Sequence, residues 1–421
     1  MKRSLRRFDI VCLGLNAIVG SGIFLLPDDL FREMGGLSPL AFLLCGLGLL
    51  PVAWCYAVAA SNHDATGGPY LYAREAFGPG PGFLVGFMAY ANGLFSFAAV
   101  SAAAASSLAR LVPALATPSG LWASAALGVV VFSALNYRGA RPGALTVDVF
   151  TIAKFGVLAV LVATLLPSVG SVPVTSELPH GPAGIGTAVF MALFAAQGFE
   201  VVGVPAGEAK NPTRDVPWAV LGSLGLATAV YVIVQACLVG SYGDLALVSD
   251  TPLADAALRR TQTLGTVIAI GGLVSTWGFV SGTAFGTPRY LFAVARDRHF
   301  PLALAAVHPR FGSPYRAVAL TAALALVLVS FFDYRALIGM SNVTIAVQYL
   351  TTSLAVARLQ RRPDVASAYR MPGGPLVPAL GALTSLWIFT EASLSELGWV
   401  IGTLLVGLLG VLGTRYAETR A

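Results

Sequence analysis

The sequence predicts an all-α polytopic membrane protein with twelve transmembrane helices, on three observations: its composition, its long apolar runs and the sidedness of its basic residues. Of 421 residues, 56% are hydrophobic and 11% charged, and the mean hydropathy is +0.77. A soluble domain carries about 25% charged residues, so this chain lacks the ionic surface that keeps water-facing helices solvated. A spanning helix needs roughly 20 mostly apolar residues; at roughly 35 residues per span plus loop, the length accommodates 10 to 14 spans in one polytopic domain.

Apolar runs broken by charge or Gly/Pro clusters place spans at 9–34, 38–61, 80–109, 121–137, 148–167, 184–207, 216–241, 262–288, 316–332, 336–357, 375–391 and 397–414. The runs are too long and too continuously apolar for barrel strands, which alternate polar and apolar residues. With twelve spans, 21 of the 26 Lys and Arg fall on the side of the N-terminus; only Arg32, Arg110, Arg259, Arg260 and Arg335 fall on the other. By the positive-inside rule both termini are cytoplasmic, and the expected location is the cytoplasmic membrane. The net charge of +6 is therefore read as an orientation signal, and no nucleic-acid partner is expected. Met1 to Arg7 leads into an apolar segment without a small-residue cleavage site, so that segment is expected to stay as the first span. Cys12, Cys45, Cys55 and Cys237 lie in apolar segments without metal-ligand spacing and are expected to pack rather than bridge.

Two spans contain residues that weaken a helix at mid-depth. In span one, Gly20-Ser21-Gly22 separates two apolar stretches; in span six, Gln197, Gly198 and Glu200 interrupt an apolar run. Irregular backbone inside lipid survives only where it lines a cavity or is covered by protein. Five span starts separate Gly22 from Gly198, the signature of two five-span halves of opposite topology with interrupted helices at matching positions. The expected organisation is a 5+5 inverted repeat, with a first repeat over 9–167, a second over 184–357 and two further helices over 375–414, all in one domain of residues 1–421. A close helix contact through small residues is the other reading of Gly20 to Gly22.

The residues that carry a family resemblance run along nearly the whole chain. They begin with the segment from Gly14 to Phe24 (GLNAIVGSGIF), continue from Gly67 to Gly78 (GGPYLYAREAFG), and reappear at Gly198-Phe199-Glu200 followed by Gly207 to Pro217 (GEAKNPTRDVP). Pro288-Arg289, Ala295-Arg296-Asp297, Arg361-Arg362-Pro363-Asp364 and Met371 to Pro375 complete the set. In this ordered set the chain resembles the amino acid-polyamine-organocation (APC) superfamily of transporters, with the LeuT-type fold. It departs at Arg298, where many relatives carry glycine.

The freed amides at the first break and the N-terminal end of the half-helix after it attract an anionic group. Carbonyls exposed at the second break suit an ammonium. The pair makes a dipolar pocket for an α-amino acid, drawn from Ile18, Gly20, Ser21 and Gly22 on one side and Phe194, Ala195, Gln197 and Gly198 on the other, and the resemblance implies the same placement. The resemblance further implies that Phe194 is an aromatic lid over the substrate; a lipid- or core-facing phenylalanine is the other reading. Gln197 is expected in the pore, bonding substrate or a freed carbonyl; Tyr90 and Asn92 are candidate pocket walls.

Glu200 and Lys154 are the two ionisable side chains the span limits place deep in the membrane, where such residues face a cavity or a partner. Glu200 is expected to brace the broken helix by accepting from freed amides, with proton carriage as its other role. Lys154 matches a span-five lysine that, in proton-coupled relatives, looks like a replacement for a sodium ion. Its ammonium can donate to span-one carbonyls, and burial makes release of its proton feasible. Snorkelling to the cytoplasmic end is the alternative, because the span limits put Lys154 only about one to two turns inside. Ser275 and Thr276 could form a sodium site, although such hydroxyls commonly bond their own i−4 carbonyls; with Lys154 present, a proton is favoured over sodium. Ser341, Asn342, Thr344, Gln348 and Tyr349 form a polar stripe on span ten, and Glu208, Lys210, Arg214 and Asp215 put alternating charge at the cytoplasmic mouth.

The predicted activity is secondary active transport of a neutral amino acid by alternating access, with exchange or export of an amino acid or polyamine as the alternative. A channel would call for a ring of repeated polar groups. An enzyme would call for a catalytic cluster, whereas His63, His180, His299 and His308 all fall in loops or at span edges. No cofactor or metal is expected, and the sequence leaves the oligomeric state and the particular substrate open.

Overall fold

A computed structural model describes residues 3–418 apart from 175–176, 244–250, 333, 366 and 392–393, and all their side chains except those of 335, 338, 339, 342, 396 and 411–418. The described residues form helices and no β-strand; one isolated parallel bridge, Leu5 with Ala209, ties the N-terminal arm to the segment after the second break. The helices are α1 (Arg7–Ile18), α2 (Gly22–Leu25), α3 (Pro27–Met34), α4 (Pro39–Ser61), α5 (Pro69–Phe77), α6 (Pro79–Leu111), α7 (Pro118–Tyr137) and α8 (Ala140–Leu165). They continue as α9 (Gly181–Ala196), α10 (Pro212–Tyr242), α11 (Pro252–Leu258), α12 (Gln262–Arg296), α13 (Tyr315–Phe331), α14 (Tyr334–Leu359), α15 (Leu376–Glu391) and α16 (Leu394–Glu418).

Among the described residues, eight helical segments are long and apolar enough to cross a membrane. Four shorter apolar helices, Tyr315–Phe331, Val343–Leu359, Leu376–Glu391 and Leu397–Gly410, follow them. Leucines along one side of α4, such as Leu40, Leu43, Leu44 and Leu47, are exposed. An apolar face of this kind is stable against lipid and costly against water. The chain is an integral membrane protein.

Several limits differ from the sequence reading, and two of the differences matter. Span five starts at Ala140 rather than at 148, because Gly139, with φ 116°, ends the preceding turn and Pro142 is tolerated in a first helical turn. Lys154 is therefore roughly 14 residues, or about 21 Å, into its helix, and it is fully buried. The snorkelling alternative is removed. Span eight runs to Arg296 instead of stopping at 288, which brings Arg289 into a span with no exposure. Asp9 in α1 and Asp148 in α8 are also buried, so Glu200 and Lys154 are not the only ionisable groups inside.

Helix α1 lies at the centre, packed against α8, α10 and α12, while α6 is sandwiched between α12 and α14. Glycine makes the closest approaches possible. A Cβ on Gly22 would lie 2.6 Å from the Cβ of Ala195, so the two interrupted helices meet there. The departure at Arg298 has a backbone counterpart: it is the only non-glycine residue with positive φ (63°) among the described residues, in the region where glycine carries no Cβ penalty.

Candidate functional site

Helix α1 stops at Ile18, and Val19 turns out of the helix with ψ 86°. The Gly20 amide reaches back only to Ile18 O, at 2.9 Å, and helical bonding resumes with Phe24 N–H to Ser21 O and Leu26 N–H to Gly22 O. Leu26 keeps helical φ and ψ, and Leu30 N–H bonds Leu26 O, so the ladder that starts at Gly22 passes into α3. First-turn amides of such a helix have no partner within it.

The carbonyls released by the break are taken by side chains from three surrounding helices. Lys154 Nζ, from α8, donates to Val19 O at 2.5 Å, Ser275 O at 3.3 Å and Asn16 O at 3.4 Å. Ser275 Oγ, from α12, donates to Gly20 O at 2.8 Å and Val19 O at 3.3 Å. Tyr231 OH, from α10, lies between the breaks and donates to Ile18 O at 2.9 Å and Ala195 O at 3.0 Å. A buried carbonyl left alone costs about 1–3 kcal/mol, so these contacts are what permits a broken helix here. Lys154 accordingly sits behind the break and not on a cavity wall. Thr276, in contrast with Ser275, bonds its own i−4 carbonyl, Gly272 O, at 2.7 Å.

The second break follows Ala196. Gln197 is extended and Gly198 has φ 128°, after which Phe199–Gly203 forms a 3-10 turn. A Cβ on Gly198 would lie 2.5 Å from the Ala17 carbonyl, so this position demands glycine on both conformation and space. Glu200 is buried, and its Oε2 accepts from the Gly198 amide and from Tyr349 OH, each at 2.9 Å.

Both breaks open on one cavity of about 50 Å³. Its walls include Ile18, Gly20, Ser21, Gly22, Phe194, Gln197 and Gly198, together with Glu200. Ala195 is the exception among the predicted pocket residues: it faces Gly22, and its carbonyl is engaged by Tyr231. Of the two candidate walls on span three, Asn92 lines the cavity, whereas Tyr90 turns its hydroxyl to Thr321 at 3.3 Å.

On the span-ten stripe, Ser341 lines the cavity and Tyr349 braces Glu200, while Thr344 bonds its own Met340 O. Gln348 is buried, and the side chain of Asn342 lies outside the described residues. The wall that the sequence reading missed includes Gly93, Ser96, Ala99 and Val100 on α6, and Phe279, Gly282, Thr283, Thr287 and Tyr290 on α12. The available signal was helical spacing, since Asn92, Ser96 and Val100, and likewise Phe279, Thr283 and Thr287, recur every four residues.

A larger, partly open pocket of about 530 Å³ shares Ser21 with the central cavity and is lined by Phe24, Arg110, Asp255 and Tyr334. Near the N-terminal arm, ion pairs and backbone contacts tie neighbouring elements together. Arg289 Nε bonds Glu208 Oε2 at 2.5 Å with both side chains buried. Ser4 and Leu5 amides bond Glu208 O at 2.9 Å, and Lys210 N–H returns to Leu5 O. Asp297 accepts from Arg74 at 2.5 Å and from Tyr70 OH, and Arg141 pairs with Asp9 at 2.6 Å. Glu208 thus pairs across the bundle with α12, not with the neighbouring charges of its own loop.

A family profile described as amino acid permease matches residues 5–403. The chain is 27% identical to the branched-chain amino acid permease BcaP of Bacillus subtilis (strain 168), covering 97% of this chain and 92% of that one. It is 26% identical to the serine/threonine exchanger SteT of the same organism, covering 98% and 96%, and 25% identical to its methylthioribose transporter, covering 96% and 92%. With a profile match over nearly its whole length and two broken helices converging on one buried cavity, the chain belongs to the amino acid permease family of the APC superfamily.

Proposed function

We propose that this permease is a secondary active transporter that moves a neutral amino acid across the cytoplasmic membrane by alternating access, coupled to protons. The observation that carries the reading is the convergence of the interruptions after Ile18 and Ala196 on a single cavity. In this reading the substrate carboxylate meets the amides at Ser21 and Gly22, and its ammonium meets backbone carbonyls at the second break. Ile18, Gly20, Phe194, Ala195, Gln197 and Gly198 shape the pocket, with Phe194 as the lid. The eight long and four shorter apolar helices support a twelve-span count. They divide as a 5+5 inverted repeat over 9–167 and 184–357, followed by 375–414, with both termini cytoplasmic.

Lys154 is the coupling residue in this proposal, and Glu200 is its partner in the mechanism as brace of the second break. The ammonium ties Asn16 O in α1 and Val19 O in the break after it to Ser275 O in α12. Losing its proton removes a charge-assisted donor from the break that forms the substrate site, so protonation and substrate affinity are linked.

The test is purified protein in liposomes, supplied with labelled amino acids with and without an imposed pH gradient. Uptake driven by an inward proton gradient supports the reading, and no translocation of any amino acid under any gradient refutes it. For Lys154→Ala the expected result is uptake that no longer responds to pH; a pH dependence matching the parent removes Lys154 from coupling.

A further inference from the structure

We propose that the transported amino acid has a short side chain bearing a hydroxyl, so that serine and threonine are preferred to alanine and valine; this rests on the amino acid reading above. The cavity of about 50 Å³ holds about four waters on a scale of 10–15 Å³ per water. That is room for a small amino acid and not for a large aromatic one.

The polar groups on its wall narrow the class further. Asn92 Nδ2 donates to the Ser341 carbonyl at 2.9 Å and to Ser341 Oγ at 3.0 Å. The carbonyl contact fixes which end of the amide is the donor, so Oδ1 is left as an acceptor, and it has no partner among the described residues. Ser96 Oγ joins the same network through Ser341 Oγ at 2.7 Å. The hydroxyls of Thr287 and Tyr290, both on the cavity wall, also have no partner among the described residues. Buried polar groups in folded proteins are hydrogen-bonded. A wall holding an open amide oxygen and two open hydroxyls, in a cavity otherwise lined by groups such as Phe279 and Val201, calls for a ligand that both donates and accepts. A substrate hydroxyl does both. Among the described residues a cationic side chain finds no free counter-charge, because the one carboxylate on the wall, Glu200, is bonded to Gly198 and Tyr349.

The decisive comparison is threonine against valine, which match in size and differ in the hydroxyl. In liposomes loaded with labelled serine, competition by threonine is expected to be stronger than by valine by about fivefold or more, the worth of one net hydrogen bond, and leucine and phenylalanine are expected to compete more weakly still. Asn92→Leu is expected to erase the threonine-over-valine preference. Equal competition by valine and threonine, or strongest competition by leucine, overturns the proposal while leaving amino acid transport standing. A preference for threonine that survives in Asn92→Leu overturns the assignment to this wall. The wild-type comparison needs no variant to fold. If alanine, valine and leucine move freely but serine does not, the substrate class is wrong; if no amino acid moves, the transport reading itself fails.

Discussion

Replacing Arg289 by methionine isolates what the buried Arg289–Glu208 pair contributes to the fold. Arg289 and Glu208 have side-chain exposures of 0% and 1% and meet at 2.5 Å; the guanidinium also donates to Phe285 O and lies 3.6 Å from that ring's centroid. The Arg289→Met side chain keeps the apolar stem but strands the Glu208 carboxylate without water or a cation. Breaking a buried pair in this way costs about 3–5 kcal/mol, whereas removing both charges costs little. Arg289 Nη2 and Glu208 Oε1 lack partners among the described residues, so the pair is incompletely compensated and the double variant has little to lose. The expected order in thermal unfolding of detergent-solubilised protein is therefore a large drop for Arg289→Met and recovery of most of it when Glu208→Gln is added. A single-variant loss below about 1 kcal/mol, or a double variant as unstable as the single, refutes the argument.

Other perturbations probe the breaks and the N-terminal face. Gly198→Ala forces a Cβ to within 2.5 Å of the Ala17 carbonyl at φ 128°; it is expected to abolish uptake and lower the unfolding temperature, and normal uptake would show that the two broken helices do not need this contact. Tyr231→Phe leaves Ile18 O and Ala195 O without their shared donor and is expected to cost about 1–3 kcal/mol, read as a lowered unfolding midpoint with the ring packing on Phe42 retained. At the N-terminal face, His63 beside Glu75, aided by Tyr369 OH at 2.6 Å, holds the Glu75 carboxyl below the usual carboxylate range. A depressed acid pKa stabilises the fold above about 4.3 and loses that contribution as the pH falls through the lower, folded-state value. Protease nicking of the 360–375 segment is thus expected to rise only in strong acid, and Glu75→Gln to flatten that dependence; nicking that rises already between pH 8 and 6 contradicts it.

The two breaks were legible in the sequence because helix-weakening residues at mid-depth in an apolar run have few explanations other than a cavity. Seven of the eight pocket residues named from that pattern line one cavity. Ala195 does not, because helix packing turns it onto Gly22. Lys154 was singled out for its charge, but its depth depended on a helix start that Gly139 moved by eight residues relative to the apolar run. The buried Arg289–Glu208 pair was not legible at all, since the partners are 81 residues apart and each sits beside other charges or a span edge where solvation is the ordinary expectation.

Composition and periodicity alone determined the membrane setting, the helical architecture and the places where helices fail, because lipid imposes backbone self-sufficiency on every residue it touches. Tertiary structure decided what covers those failures and what faces the cavity between them. Tyr231 carries no signal in its own helix, and Tyr231, Ser275 and Lys154 become donors to broken backbone only when α10, α12 and α8 pack around α1. Hydrogen bonds require groups about 3 Å apart with defined directions, and no local pattern encodes a meeting between residues so distant along the chain.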